Sequence, residues 1–179
     1  DYYITAEGFL IILAGAASED DNETAGVGFI VAPDVRGSII GFQQQSSRMS
    51  CLKLRVPGGK LHVLSVYAPH SGKHHDERSA FFAELQTFVT KSSGNGPRLM
   101  FGDFNARLHV RVAGEEDIMG PFIFGNPRAQ HNPESNRSLL LELCTSKTLA
   151  IANTFHDEPP ERQISCYNVG SQRHDPPTH

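Results

Sequence analysis

The stretch Met100-Phe101-Gly102-Asp103-Phe104-Asn105 places two polar residues directly after a short apolar run. The run from Arg98 to Phe101 predicts a short buried strand that ends at Gly102, where a missing Cβ allows close approach of backbone and substrate. Asp103 and Asn105 are two residues apart, so their side chains leave the strand end on the same side. A carboxylate there can accept a proton from water, and the carboxamide can bind a phosphate oxygen or a hard cation. An ordinary Asx turn explains the hexapeptide equally well.

A second strand with a polar end precedes this one, at Ser65-Val66-Tyr67-Ala68-Pro69-His70. Apolar residues alternate from Arg48 to Val56 and again from Leu61 to Ala68, and Pro57-Gly58-Gly59 between them is typical of a turn. The two segments therefore predict a β-hairpin. The Tyr67 hydroxyl can reach a phosphate oxygen, although a tyrosine lying at the edge of a sheet is the alternative interpretation.

A helix is predicted between these two strand ends, from Asp76 to Lys91. Its apolar residues recur at helical spacing and are expected in the core: Phe81, Phe82, Leu85, Phe88 and Val89. Lys73 and Arg78 follow the strand that ends at Tyr67, and they lie either along a nucleic-acid track or on a solvated helix N-terminus. A second helix is predicted from Ser135 or Asn136 to about Lys147.

The remaining sequence predicts shorter elements. Gly8 to Ala14, Gly26 to Ala32 and Leu149 to Thr154 indicate strands, and Ala106 to Pro133 indicates a long surface loop. The polar, proline-rich tail from about residue 157 is expected to be irregular. Hairpins mixed with helical crossovers favour layered α/β sheets over a purely parallel sheet.

Composition limits the classes of protein that the chain can belong to. The 179 residues, 39% of them hydrophobic, can form one core without a structural metal. The net charge of −4 argues against binding nucleic acid through bulk positive charge.

The cysteines and the apolar runs indicate the cellular compartment. The three cysteines do not have the spacing of metal ligands, and they indicate reduced thiols. The run from Phe9 to Ala17 lacks a basic leader and is too short to span a bilayer. We therefore expect an intracellular protein, nuclear or cytoplasmic, with no secretion and no membrane partner.

Several segments together resemble the endonuclease/exonuclease/phosphatase superfamily: Gly26-Val27-Gly28-Phe29, Val66-Tyr67-Ala68-Pro69, Gly102-Asp103-Phe104-Asn105-Ala106-Arg107, Asn136-Arg137 and Leu149 to Phe155. The nearest branch is the apurinic-endonuclease-like domain of non-LTR (LINE-type) retrotransposons, together with the craniofacial-development-protein-like sequences derived from them. The resemblance covers nearly the whole chain.

The resemblance implies a four-layer αββα sandwich and metal-dependent phosphodiester hydrolysis, with Mg²⁺ as the usual ion and Mn²⁺ as a possible one. By the family pattern, Asp103 activates or orients the attacking water, Asn105 positions that carboxylate and the phosphate, and Tyr67 contacts the phosphate. His70 and Arg107 are the candidate substrate-binding residues. Asp103 and Asn105 are also the candidate metal ligands.

Two departures from the family pattern matter. The family's metal-binding Glu is not matched, because Glu7 stands at a variable position, and the closing Ser-Asp-His is also unmatched. We therefore expect one partial domain over residues 1–179, truncated at both ends and weakly active or inactive. The implied activity is DNA nicking, and the implied partners are a DNA substrate and a reverse transcriptase domain in the parent polyprotein.

Two other functions stay open. One is a superfamily phosphatase that acts on a small phosphoester such as an inositol phosphate, since such enzymes share a Gly-Asp-x-Asn core followed by Arg. The other is a non-enzymatic remnant that folds poorly, with unpaired strand edges and exposed apolar surface.

Overall fold

The computed structural model describes residues 1–15, 25–92, 94, 96–123, 125, 128 and 132–159. The described residues of Asp1–Arg107 and Asn132–Thr148 form one compact unit, and those of Leu108–His131 and Leu149–His179 form another. The predicted irregular tail beyond residue 159, with Cys166, lies outside the described residues. Every regular strand and α-helix of the described chain belongs to the first unit.

Sheet one is antiparallel and has three strands in the order β1-β2-β3. Its strands are β1 (Tyr2–Ile4), β2 (Leu10–Ala14) and β3 (Val27–Val31). The strands predicted from Gly8 to Ala14 and from Gly26 to Ala32 are thus confirmed as β2 and β3. The sequence analysis did not predict β1, because its three residues are exposed and show no apolar alternation.

Sheet two has four strands in the order β4-β5-β6-β7. The first three strands pair antiparallel, and β6 pairs parallel with β7. Its strands are β4 (Ile39–Ser46), β5 (Met49–Val56), β6 (Gly59–Tyr67) and β7 (Arg98–Asp103). The predicted hairpin is confirmed as β5 and β6, which pair from Met49 opposite Val66 to Val56 opposite Gly59.

The two α-helices are also confirmed. Helix α1 (His75–Ser92) connects β6 to β7, which parallel strands require because the chain must cross over between them. Helix α2 (Asn136–Lys147) begins at the N-cap Ser135, whose side chain accepts a hydrogen bond from the Ser138 amide. No helix of the described part of the chain is long and apolar enough to cross a membrane.

The two sheets pack face to face. Ile12 and Val31 of sheet one meet Leu52 of sheet two in a buried cluster. Phe29 and Phe42 pack edge to face across the same interface, with ring centroids 6.3 Å apart. This arrangement is a mixed α+β fold with two packed sheets, and it confirms the incomplete sandwich that the resemblance implies.

The opposite face of sheet two carries a second apolar layer. Met49, Cys51, Leu64 and Val66 share this face and are at most 1% exposed. Helix α1 lies against sheet two, where Gln45 Nε2 donates to Glu84 Oε1 at 2.9 Å. The predicted apolar face of α1 is buried in full: Phe81, Phe82, Leu85, Phe88 and Val89. The central strands of sheet two are therefore covered on both faces.

The strand predicted from Leu149 to Thr154 is wrong. Ile151 makes one isolated parallel bridge to Met119, and Ala152–Phe155 form a 3₁₀ helix. Thr154 Oγ1 accepts the amide of Gly120 at 2.7 Å, so this side chain holds the loop of the second unit. Among the described residues, this apolar run has no neighbouring strand with which to form a ladder.

Gly102 lies opposite Val66 in the β6–β7 ladder with φ at +146°. A Cβ at this position would overlap the backbone carbonyl of Val66. The sequence predicts that backbone and substrate can come close to Gly102. In the structure, the backbone of the neighbouring strand β6 makes this close approach. A side chain here would separate the two strands that carry Tyr67 and Asp103.

We expect Gly102→Ala to lower the free energy of unfolding by about 2 kcal/mol or more, because the methyl group combines backbone strain with overpacking. Urea denaturation measures the change. Gly37→Ala is the control, since Gly37 has no atom within 4 Å of an added Cβ. Equal stability of the two variants would contradict the close approach between β6 and β7.

Candidate active site

The ends of β6 and β7 bring Tyr67 and Asp103 together. The parallel register places Tyr67 directly beside Asp103, so the two side chains leave the same face at the carboxyl edge of sheet two. The ladder continues one step further, where the Ala68 amide donates to the Asp103 carbonyl at 2.8 Å. Tyr67 is half-buried and Asp103 is exposed. A phenol and a carboxylate thus reach solvent at one edge.

Asn105 joins these two strand ends. Its backbone is left-handed, with φ at +48°, which allows its amide to donate to Asp103 Oδ1 at 2.8 Å. Its side-chain Nδ2 donates to the Ala68 carbonyl at 2.8 Å. The Asx turn that the hexapeptide suggests is therefore present, and the same turn holds the Asp103 carboxylate next to Tyr67.

A buried asparagine ties down the loops behind the site. Asn136 is 3% exposed, and its Nδ2 lies 2.8 Å from the carbonyl oxygen of Pro69, 3.2 Å from that of Asn105 and 3.3 Å from that of Phe104. These carbonyls belong to the loops that follow β6 and β7. The first residue of α2 therefore connects both loops that carry candidate site residues.

Arg78 completes this network from α1. Its guanidinium is buried, donating through Nη1 to the Glu134 carbonyl at 2.7 Å and to Asn136 Oδ1 at 3.1 Å. Nε donates to the Lys73 carbonyl at 3.1 Å. Both interpretations of Arg78 from the sequence are wrong, since the side chain lies neither along a nucleic-acid track nor on a solvated helix end. The exposed Lys73 ammonium pairs with Glu77 at 3.2 Å.

Arg48 is a site residue that the sequence analysis missed. Its guanidinium carbon lies 5.1 Å from the centroid of the Tyr67 ring, a cation–π contact. The backbones of the two residues are also bonded, because the Tyr67 amide donates to the Arg48 carbonyl at 2.9 Å. From the sequence alone, Arg48 is interpreted only as the first residue of a strand whose apolar residues alternate. The register of the β5–β6 hairpin could have identified Arg48, because it places Met49 opposite Val66 and hence Arg48 near Tyr67.

The candidate substrate-binding residues lie on the surface around this edge. His70 is exposed in the turn after β6, and its Nδ1 accepts the Gly72 amide at 3.1 Å. Arg107 is exposed two residues after Asn105. Within the described residues, neither side chain bonds to Tyr67, Asp103 or Asn105. Their roles in substrate binding stay predictions.

The described residues contain no group of three His, Cys, Asp or Glu side chains that could hold a metal ion. Asp103 and Asn105 together supply one carboxylate and one amide oxygen. Mg²⁺ accepts such a sparse donor set, because in proteins it keeps several waters and shares phosphate oxygens of the substrate. The two candidate ligands therefore fit an ion held jointly with substrate. Glu7 is exposed in a separate turn, where hydrogen bonds from the turn backbone and from Thr5 lower its pKa.

Comparison with known proteins relates the chain to proteins named for craniofacial development. It is 30% identical over 137 residues to craniofacial development protein 2 of Bos taurus, and 29% identical over 137 residues to that of Tragulus javanicus. The match covers 76% of this chain and 22% of each relative, so the chain spans about a fifth of their length. No family model matches the chain. The predicted resemblance to craniofacial-development-protein-like sequences is thus confirmed as a distant similarity, and the retrotransposon link stays a prediction.

We expect Asn136→Ala to lower the free energy of unfolding by roughly 2 to 4 kcal/mol, since it removes the Nδ2 donor from three carbonyls and one of the acceptors of Arg78. Chemical denaturation monitored by circular dichroism measures the loss. The control is Asn132→Ala at an exposed position, where the side chain accepts only the Glu134 amide at 2.9 Å. A loss for Asn136→Ala no larger than for Asn132→Ala would show that the network does not hold the loops.

Proposed function

We propose that this chain carries the water-activating and phosphate-binding part of a metal-dependent phosphodiesterase site that nicks DNA. The observation that supports this most is the β6–β7 register, which sets the Tyr67 phenol beside the Asp103 carboxylate and leaves both at an open edge. The resemblance of the surrounding segments to nuclease domains, and the distant similarity to craniofacial development protein 2, support the same reaction class.

Asp103 is the group that receives the proton of the attacking water. The Asn105 amide already donates to Oδ1, so this hydrogen bond fixes the carboxylate orientation and leaves Oδ2 for the water. General base assistance of this kind accelerates proton transfer by about 10² to 10⁴. The site is exposed in this chain, so water has direct access to the carboxylate.

Tyr67 and Arg48 handle the phosphate. The Tyr67 hydroxyl donates to a non-bridging phosphate oxygen, while the Arg48 guanidinium on the ring face keeps the phenol in place and adds positive potential. His70 and Arg107 extend the contact along the nucleic-acid backbone. Arginine suits this task because its planar donors match phosphate oxygens.

Asp103 and the Asn105 amide oxygen would hold Mg²⁺, or Mn²⁺ in its place. When bound, the ion neutralises charge on the phosphoryl oxygens and thereby lets an acidic chain hold a polyanion. We infer that the chain alone is a slow enzyme, because residues of such a site act as a unit and the described residues offer few metal ligands. A reverse transcriptase domain downstream in the parent protein belongs to the same proposal.

Nicking of supercoiled plasmid DNA with Mg²⁺ or Mn²⁺ tests the proposal. We expect slow, chelator-sensitive nicking by the chain, and a fall of about 10²-fold or to the protein-free rate for Asp103→Asn. Asp34→Asn is the matched control, because Asp34 is an exposed aspartate away from the carboxyl edge of sheet two. Nicking that Asp103→Asn leaves unchanged would contradict the assignment, as would a wild-type chain that nicks with neither metal. Hydrolysis of an inositol phosphate in preference to plasmid would favour the phosphatase instead.

The Tyr67 hydroxyl has a separate test. We expect Tyr67→Phe to lower the nicking rate about tenfold, the size of one hydrogen bond of the transition state, with no loss of stability. The ring and its contact with Arg48 remain in this variant. Tyr3→Phe, which removes a hydroxyl from an exposed position, is the control. An unchanged rate for Tyr67→Phe would remove the phenol from the proposed mechanism.

A further inference from the structure

Basic side chains form a row across sheet two, near the amino end of β6. The register places Lys53 of β5 opposite His62 of β6, and His62 beside Arg98 of β7. Lys60 lies two residues before His62 on the same face, and it pairs with Arg55. We call Lys53, Lys60, His62 and Arg98 the basic row. It combines side chains from three adjacent strands that are far apart in sequence.

The basic row concentrates positive charge in a chain whose net charge is −4. None of its members forms an ion pair in the described part of the chain. Lys60 faces Arg55 across the β5–β6 pair, so two cationic side chains lie directly opposite each other. Like charges placed directly opposite one another in a sheet are destabilising.

His62 lies at the centre of the row and lacks a well-formed hydrogen bond. Its side chain is buried, with the residue 2% exposed, yet neither Nδ1 nor Nε2 makes a hydrogen bond of good geometry among the described residues, the Ser92 backbone being only a weak partner. Burial lowers the pKa of His62 first, and Lys53, Arg98 and Lys60 lower it further, while the nearby Ser92 backbone partly opposes this. The imidazole is therefore neutral at pH 7 and can donate one hydrogen bond.

Space for a ligand lies beside this imidazole. A cavity of about 570 Å³ is lined by Ile40, Lys53, Gly59, Lys60, His62 and Gly94. The aliphatic stem of Lys53 extends over Gly41, since an added Cβ there would meet Lys53 Cδ at 3.8 Å. Gly94 lines the cavity, and a Cβ added there would lie 3.9 Å from His62 Nε2. A residue without a side chain thus borders this imidazole nitrogen.

We propose that the basic row is a phosphate-binding site, separate from the candidate active site. A phosphate group in the cavity gives His62 the well-formed hydrogen bond that it lacks and relieves the repulsion among the three cationic side chains. Lys53 and Lys60 line the cavity and supply point charges, and Arg98, beside His62 in the ladder, adds positive potential. The phosphate comes either from a free anion or from a nucleic-acid backbone.

The site does not depend on the proposed nuclease activity. His62 precedes Tyr67 by five residues, or about 17 Å along the strand, and the two side chains leave opposite faces of sheet two. A substrate phosphate held by Tyr67 therefore cannot be the same phosphate. Loss of either function leaves the other in place.

Titration of the chain with inorganic phosphate, followed by NMR of the histidine imidazoles, tests the site. We expect a saturable shift of the His62 signals and about tenfold weaker binding for Lys53→Gln and Lys60→Gln, the effect of losing one charge-assisted contact. Lys147→Gln removes one positive charge from α2 and is the control, with binding unchanged within about twofold. These lysines are not buried, so the variants are expected to fold.

The pH dependence of sulfate binding gives a second readout, because sulfate itself does not titrate in this range. A bound anion favours the imidazolium, so affinity should rise as the pH falls below the ordinary histidine pKa of about 6.5. Lys53, Lys60 and Arg98 surround His62 and stay charged throughout, so His62 is the group in the row that titrates. The rise should disappear in His62→Gln.

A single-stranded oligonucleotide distinguishes the two sources of phosphate. Binding of the oligonucleotide that weakens in Lys53→Gln and not in Lys147→Gln would assign the site to a nucleic-acid backbone, and binding of inorganic phosphate alone would assign it to a free anion. The proposal is overturned when neither probe shifts His62, or when Lys147→Gln weakens binding as much as Lys53→Gln does. Plasmid nicking is measured on the same variants and should be unchanged.

Discussion

The parallel pairing of β6 with β7 is the constraint on which the candidate site depends. Parallel strands end at the same edge of a sheet, and the register sets Tyr67 beside Asp103 at that edge. A slip of one residue would turn the Asp103 carboxylate to the other face, away from the phenol. Gly102 permits this close pairing, because its lack of a Cβ lets the Val66 carbonyl approach.

Hydrogen bonds to backbone carbonyls hold the rest of the site in place. Asn105 connects the ends of the two strands, and Asn136 connects the loops that follow them, with Arg78 supporting Asn136 from α1. Each side-chain donor of this network satisfies a carbonyl oxygen that would otherwise be costly to bury. The two helices therefore contribute more than apolar packing, since a polar residue near the start of each one fixes a loop at the carboxyl edge.

Periodic apolar residues account for what the sequence predicted well. The hairpin of β5 and β6 has strict alternation, and α1 has a helical apolar face, so both elements were found within a residue or two of their ends. Strand β4 was not predicted, because its polar Gln43, Gln44 and Gln45 conceal the alternation. Tyr67, Asp103 and Asn105 could be singled out as candidates because each stands at the end of a predicted strand. The contacts of Arg48, Arg78 and Asn136 were not predicted, since they depend on tertiary pairing that no local pattern records.

The two ends of β6 differ in how completely their polar groups are satisfied. At the carboxyl edge, Asp103 and Asn105 are hydrogen-bonded to each other and to the adjoining backbone, and the Asp103 side chain is exposed to solvent. Near the amino end, His62 is buried without a well-formed hydrogen bond among the described residues, and the surrounding cations disfavour its protonation. A folded chain tolerates such an arrangement only when other contacts compensate or when a ligand supplies the missing partner.

A chain with net negative charge binds phosphate through local basic groups of this kind, because its overall field repels polyanions. The charge that matters for phosphate binding is therefore the charge of each local pocket, and in the basic row this local charge is opposite in sign to the net charge of −4.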